Sequence, residues 1–294
     1  MNALNGALTG LFNLVLAPLE VLGVAWALIV VAGVFGIFAL FVFKHISSQR
    51  RIKAVKDRIK GHVIAISIFQ NDLRVVGGSV VKILGRNFQY LALNFGPFLP
   101  LAIPFVFVMA QFVVRYAYAP VALMQNPAAQ LAGAGTLLEV QLEPESKALL
   151  SSLTVTLPDG VVALSPLVRV PSQARAYQEI AATKSGVHEI RLALGGAAFE
   201  TKSFCAGAAS LRVMQPRRVN NRDWYRLSDP DHWPALWPAE PGFASDSPFA
   251  SVAIAYPDRD LGWLPGGEGG ILLTFFVASM LFGIAALKPL GVQI

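Results

Sequence analysis

A strongly basic stretch caught between two uncharged apolar runs constrains this chain more than any other feature. From Lys44 to Arg86 it carries ten Lys/Arg against two acids, Asp57 and Asp72. Val21–Phe43 precedes it and Phe95–Val114 follows it, and neither run holds a charge. Apolar runs of that length can cross a bilayer as helices. A short basic connection between two spans stays cytoplasmic. The expected topology is therefore an N-terminus outside, a first span over 21–43, a cytoplasmic segment over 44–94 and a second span over 95–115.

The remainder follows from that orientation. Residues 116–268 form a long polar region with twelve Lys/Arg against fifteen Asp/Glu. A third uncharged run begins at Gly269 and ends at Lys288, so a third span over 269–288 returns the chain to a cytoplasmic tail, 289–294. The net charge of +6 is thus carried by the cytoplasmic segment. That asymmetry points to topology and anionic lipid, not to nucleic acid. A hydrophobic share of 54% with only 14% charged residues agrees with a membrane protein.

Met1–Leu19 has no Lys or Arg, which does not suit a cleaved signal peptide. Leu11, Phe12, Leu14, Val15 and Leu16 before Pro18 fit a short apolar helix at the outer interface, within an N-terminal segment 1–20. An extension of the first span beyond a proline kink fits equally. The single cysteine, Cys205, excludes an internal disulfide and reads as a buried small hydrophobe. The four histidines lack metal-ligand spacing. There is no phosphate loop, nucleophile elbow or dinucleotide fingerprint, and Pro265–Gly270 reads as turn material. The expectation is a protein that is not an enzyme, with no cofactor and no metal.

Within 44–94, Ile52, Val55, Ile59, Val63, Ile66 and Phe69 recur at spacings of three and four, the pattern of an amphipathic helix. Arg50, Arg51, Lys53, Lys56, Arg58 and Lys60 supply a basic surface for lipid headgroups or the ribosome. Asn71-Asp72 marks a break and an N-cap. Leu73, Val76, Val80, Ile83, Leu84 and Phe88 predict a second apolar face. The two helices either pair as an antiparallel hairpin or lie on the membrane.

Pro97, Pro100 and Pro104 crowd the start of the second span and predict an irregular entrance. Gln111 is the strongly polar residue inside that span, with Asn94 and Gln89 at its mouth. Such groups face a partner helix or a wet cavity. This arrangement resembles the YidC/Oxa/Alb insertase superfamily, most closely its minimal three-span branch of archaeal YidC-like proteins and the insertase subunit of the ER membrane complex. The resemblance covers Met1–Arg115 and Gly269–Ile294: an N-out first span, a basic helical hairpin, a proline-rich second span and a third span back. It implies an insertase or chaperone-like factor for membrane proteins, working without covalent chemistry. Better-known members place an arginine within a polar groove. The uncharged spans here leave such a groove to Gln111, Asn94, Gln89, Thr274 and Ser279, with Arg86 at the rim. The large segment between spans two and three is absent from the minimal proteins.

That segment reads as β. Thr136–Leu142, Leu153–Leu157, Val161–Val170, Ala176–Ala182, Val187–Leu194, Ala198–Phe204, Leu211–Met214 and Val252–Tyr256 have strand character, separated by turn signals. The expected fold class is an α-helical membrane protein with three transmembrane helices and a cytoplasmic helical hairpin, plus an all-β immunoglobulin-like sandwich on the extracytoplasmic side. Between 216 and 250, Arg217, Arg218, Arg222 and Arg226 alternate with Trp224, Trp233 and Trp237 among prolines. They form a candidate partner surface or a belt at the outer headgroups. Ser279, Gly283 and Ala285-Ala286 give the third span a small-residue face. The alternative function is therefore a non-catalytic scaffold or accessory subunit of a larger membrane complex. Either way the expected partners are membrane lipids and other integral membrane proteins, as substrates or hetero-oligomer subunits, without nucleic acid. Lack of disulfides suits a bacterial inner membrane.

Overall fold

The computed structural model describes the chain apart from residues 48, 97, 126–134, 197, 209–212, 223–228 and 293–294. The chain forms two compact units, Met1–Ala27 with Val106–Thr274, and Leu28–Phe105 with Phe275–Ile294. Six α-helices are described: α1 (Asn2–Glu20), α2 (Val24–Ile46), α3 (Gln49–Ile68), α4 (Leu73–Phe95), α5 (Phe98–Phe112) and α6 (Gly267–Leu290). Among the described residues, four helical stretches are long and apolar enough to cross a membrane: Asn2–Glu20, Val24–Ile46, Phe98–Ala117 and Gly267–Leu290. These are the mark of a membrane protein.

Helix α1 is a helix of its own and does not continue α2. Pro18 lies inside it, and the break comes later, where Gly23 takes φ +103, a left-handed conformation that glycine adopts without a Cβ clash. Helix α5 ends in a π-helical turn, Val113–Ala117. Two of the three prolines expected at its entrance lie within its helical residues. Pro100 stands in the first turn, where a backbone N–H has no helical acceptor anyway, and Pro104 sits inside the helix. Pro97 lies outside the described residues.

In the second unit, α2 and α6 approach closely through small residues. A Cβ on Gly36 would overlap the Ser279 carbonyl, and one on Gly33 would meet the Phe282 ring at 2.8 Å. The small-residue face of α6 therefore packs against a glycine pair of α2. Phe35, Phe105 and Phe275 stack nearby with ring centroids 5.4–6.1 Å apart.

The first unit contains two antiparallel sheets. Strands β1 (Thr136–Leu142), β3 (Val161–Ala163), β4 (Val168–Val170), β5 (Arg175–Ala182), β8 (Arg217–Val219) and β9 (Phe249–Ile254) form one, ordered β3-β5-β1-β9-β8 with β4 also on β5. Strands β2 (Leu153–Thr156), β6 (Gly186–Leu194) and β7 (Ala198–Ala206) form the other, ordered β2-β6-β7. β1 is central, Val140 standing opposite both Ala176 and Val252. Its alternation works as expected: Leu138, Val140 and Leu142 are buried, while Leu137 is exposed. On β6, Ile190, Leu192 and Leu194 do the same. Each such buried aliphatic side chain contributes about 1.5–3 kcal/mol.

Two strand expectations need correction. Val161–Val170 is two short strands, because Pro166 offers no N–H to the ladder and the chain kinks at Ser165-Pro166. The last strand starts at Phe249 and stops at Ile254, and Tyr256 beyond it turns its hydroxyl to accept from the Cys205 N–H at 2.9 Å. Of the expected strand at Leu211–Met214, Leu211 and Arg212 lie outside the described residues. β8 was not anticipated.

Candidate functional site

The basic segment folds as a hairpin of two packed helices, α3 and α4, joined by a short turn. Asp72 caps α4, its carboxylate accepting from the N–H groups of Arg74 and Val75 at 2.9 and 3.2 Å. On α3, Ile52 and Val55 are buried and Ile59 and Ile66 half-buried, as the periodicity predicts, whereas Val63 and Phe69 are exposed. On α4 the predicted apolar face largely turns outward. Val75, Val76, Ser79, Ile83, Arg86 and Tyr90 occupy the more buried side, while Val81, Leu84 and Phe88 form an exposed line, Phe88 at 73%. Arg50, Arg51, Lys53, Lys56, Arg58 and Lys60 are all exposed. The hairpin thus combines a basic helix with an uncovered apolar line, a pairing that suits an anionic lipid surface or an apolar chain segment.

Gln111 and Thr274 belong to the first unit, and Arg86, Gln89, Asn94 and Ser279 to the second. Arg86 and Gln89 meet each other, the guanidinium donating to Gln89 Oε1 at 2.7 Å. The Ser279 hydroxyl donates to Phe276 O of its own helix at 3.0 Å. Thr274 is buried. Asn94 lies on α4, and its side chain is outside the described residues.

Gln111 faces α1. Its Nε2 donates to the Thr9 hydroxyl at 2.9 Å, and Arg115 Nη2 donates to the Thr9 carbonyl at 3.2 Å. Phe12 and Phe112 pack edge to face with centroids 6.0 Å apart. Tyr116 donates to Glu20 Oε1 at 2.9 Å. Asn5 Nδ2 donates to the Pro234 carbonyl at 2.8 Å, and Asn2 exchanges hydrogen bonds with the backbone of Gly242. Asn2, Asn5, Thr9, Asn13 and Glu20 thus form a polar stripe at helical spacing on α1. Arg115 is 1% exposed. The π turn winds an extra residue into the helix and re-aims the side chains around it, which places Arg115 against α1. Sequence reasoning missed this seam. The heptad-like spacing of the α1 polar residues was the available signal.

The Arg/Trp region is largely occupied within the β domain. Arg217 stacks over Trp237, its guanidinium carbon 5.5 Å from the ring centroid. Arg218 donates to Pro241 O at 2.7 Å and Thr201 O at 2.5 Å, lies 3.4 Å from Glu200 and covers Phe243 at 4.3 Å. Arg222 pairs with Glu145 at 2.7 Å. Trp237 Nε1 donates to Asp231 O at 2.8 Å, and Trp233 is half-buried. Trp224 and Arg226 lie outside the described residues. The anchor of this region is Lys202 on β7, fully buried. It donates to Glu240 Oε2 at 2.7 Å and Gln215 O at 2.6 Å, while Glu240 Oε1 accepts from the Ser203 N–H at 3.1 Å. Burial holds the Lys202 ammonium below the ordinary lysine pKa, partly offset by the Glu240 carboxylate.

Among the described residues, no group of His, Cys, Asp and Glu is placed to hold a metal ion. The second unit holds an apolar groove of about 400 Å³, bounded by α2, the end of α4, the start of α5 and α6. Compared with protein-family models, curated proteins and solved structures, the chain matches none.

Proposed function

We propose that this chain is a YidC-like membrane protein that acts as an insertase or chaperone-like factor, holding apolar segments of other membrane proteins at the cytoplasmic face of a bacterial inner membrane. The observation that supports it is the α3/α4 hairpin, where Val81, Leu84 and Phe88 stay uncovered beside a basic helix. An exposed apolar line on a soluble-side element marks an interaction surface. The work is non-covalent, lowering the cost of leaving an apolar segment in water.

In this reading α2, α5 and α6 are the three spans, the hairpin and C-terminus are cytoplasmic, and the β domain is an immunoglobulin-like sandwich outside. Helix α1 lies along the outer interface. Its start is tied to Pro234 and Gly242 of the β domain, and its end to Tyr116 at the β-domain end of the second span. A spanning helix would place its ends about 30 Å apart across the bilayer. Its polar stripe faces protein, while Leu11, Leu14 and Val15 stay exposed for lipid.

A second reading, an accessory subunit of a membrane assembly, has its own support. Gln111 and Arg115 are spent on α1, and the groove in the second unit is lined by apolar side chains and Tyr90. A polar segment would find little there. The test is in vivo crosslinking from a photoreactive residue at Leu84 or Phe88, during pulse labelling. Short-lived adducts with many newly made membrane proteins support the insertase reading. One stoichiometric adduct, persistent through the chase, refutes it in favour of the subunit.

A further inference from the structure

We infer that the apolar groove of the second unit holds one acyl chain of an anionic phospholipid, with Lys44, Arg86 and Lys288 meeting the headgroup. Leu40 and Phe43 of α2, Tyr90 of α4, Leu101 of α5, and Met280 and Gly283 of α6 line it. At its floor Gly36 and Gly283 let α2 and α6 close against each other, which shuts the groove on that side. At about 400 Å³ the groove is far too small for a second spanning helix, which is about 10 Å across and about 30 Å long. A single flexible hydrocarbon chain is the apolar object of the right width in a bilayer.

The cations pick the headgroup. Lys44 directly follows Phe43 and Lys288 directly follows Leu287, both lining residues, and Arg86, which donates one bond to Gln89 Oε1, lies one helical turn before Tyr90. Lys44 donates one bond to the Leu290 carbonyl at 2.7 Å, and an ammonium has two further N–H groups. None of the three forms an ion pair among the described residues. The unit contains only two acids, Asp57 and Asp72, and Asp72 is committed to capping α4. A phosphate is the complement this end of the groove lacks. Each such lysine near an anionic lipid is worth about fivefold in affinity.

The inference stands apart from the insertase reading, since either an insertase or a subunit can carry a bound lipid. It is tested by native mass spectrometry of the delipidated full chain in detergent, titrated with phosphatidylglycerol and with phosphatidylcholine. The expected result is one phosphatidylglycerol bound well before phosphatidylcholine. K44Q/K288Q lowers phosphatidylglycerol affinity by about twenty-five-fold, two such lysine steps, toward the phosphatidylcholine level. Ala39→Phe, which fills the groove, removes both. K44Q/K288Q changes two exposed helix-end side chains and gives up one hydrogen bond, to the Leu290 carbonyl, so its result holds if Ala39→Phe fails to fold. Equal binding of the two lipids overturns the proposal. So does unchanged phosphatidylglycerol binding in K44Q/K288Q or in a folded Ala39→Phe protein, or recovery of a peptide in place of lipid.

Discussion

Lys202 Nζ lies 2.7 Å from Glu240 Oε2 with both residues buried, so one ion pair clasps the proline-rich loop to the edge strand β7. The pair is fully bonded. Lys202 also donates to Gln215 O, and Glu240 also accepts from Ser203.

Breaking one side of such a pair costs more than removing both. Lys202→Met leaves a buried carboxylate and is expected to destabilise the β domain by about 3–5 kcal/mol. Adding Glu240→Leu recovers most of that, short of about 1–3 kcal/mol for the Ser203 groups left without an acceptor. Thermal unfolding in mild detergent, followed by near-ultraviolet dichroism, measures the cycle. Additive losses would mean that the two side chains act independently.

Alkaline pH separates two buried groups of opposite sign. Lys202 has a folded pKa below its ordinary value because of burial, so the native state binds fewer protons than the unfolded chain in the window beneath pH 10.5. Its contribution to stability therefore rises with pH there. The Tyr256 phenol is pushed far above its ordinary range by burial, so above pH 10 the unfolded chain releases a proton that the native state keeps. Stability from that group is present below pH 10 and lost above it. Stability against pH for wild type, Lys202→Met and Tyr256→Phe checks both slopes. The slope from pH 8 to 10 should flatten in the first variant, and the fall above pH 10 should lessen in the second.

Gly36 and Gly283 both stand at the α2–α6 crossing, yet they should respond differently. A Cβ at Gly36 collides with backbone, whereas one at Gly283 sits 3.6 Å from the nearest oxygen, an ordinary contact. Gly36→Ala is expected to cost about 1–3 kcal/mol and Gly283→Ala less than about 1 kcal/mol. Melting temperatures in detergent compare them, and equal effects would contradict the close approach.

Gln111→Leu should loosen α1 and spare the rest. It leaves the Thr9 hydroxyl without its donor, at a cost of about 0.6–1.7 kcal/mol. Hydrogen exchange should rise over residues 2–20 and stay level in the sheets. Loss confined to client insertion, with α1 unchanged, would restore Gln111 to a groove.

Much of the architecture was legible because it is written locally. The Asp72 cap, the buried Ile52 and Val55, the alternation of β1 and β6 and the turn between paired helices depend on neighbours a few residues away. What was illegible depends on distance. The α4 stripe was misjudged because an exposed face and a packed face are both apolar there, and only the partner helix chooses Val76 and Ile83 over Leu84 and Phe88. Arg115 reads as a charge ending a span, and its burial follows from a π turn and from Thr9, about a hundred residues earlier. β8 was hidden because Arg217 and Arg218 sit in a texture of cations and prolines, while their strand pairing comes from Ala253 and Val252. The Arg218 and Lys202 contacts, to Thr201, Pro241, Gln215 and Glu240, are likewise non-local.

The two stems of the β domain are laced together. The Arg259 N–H donates to Ala117 O and the Ala119 N–H to Pro257 O, both at 2.8 Å, and the Arg259 side chain reaches Arg115 O at 2.9 Å. The polypeptide departs from one helix and comes back to the next through a single doorway. The domain is thus a cassette in geometry: a join from Ala117 to Arg259 would excise it without rerouting either helix. What such an excision would strand is α1, whose N-terminal half has its anchors on the cassette itself.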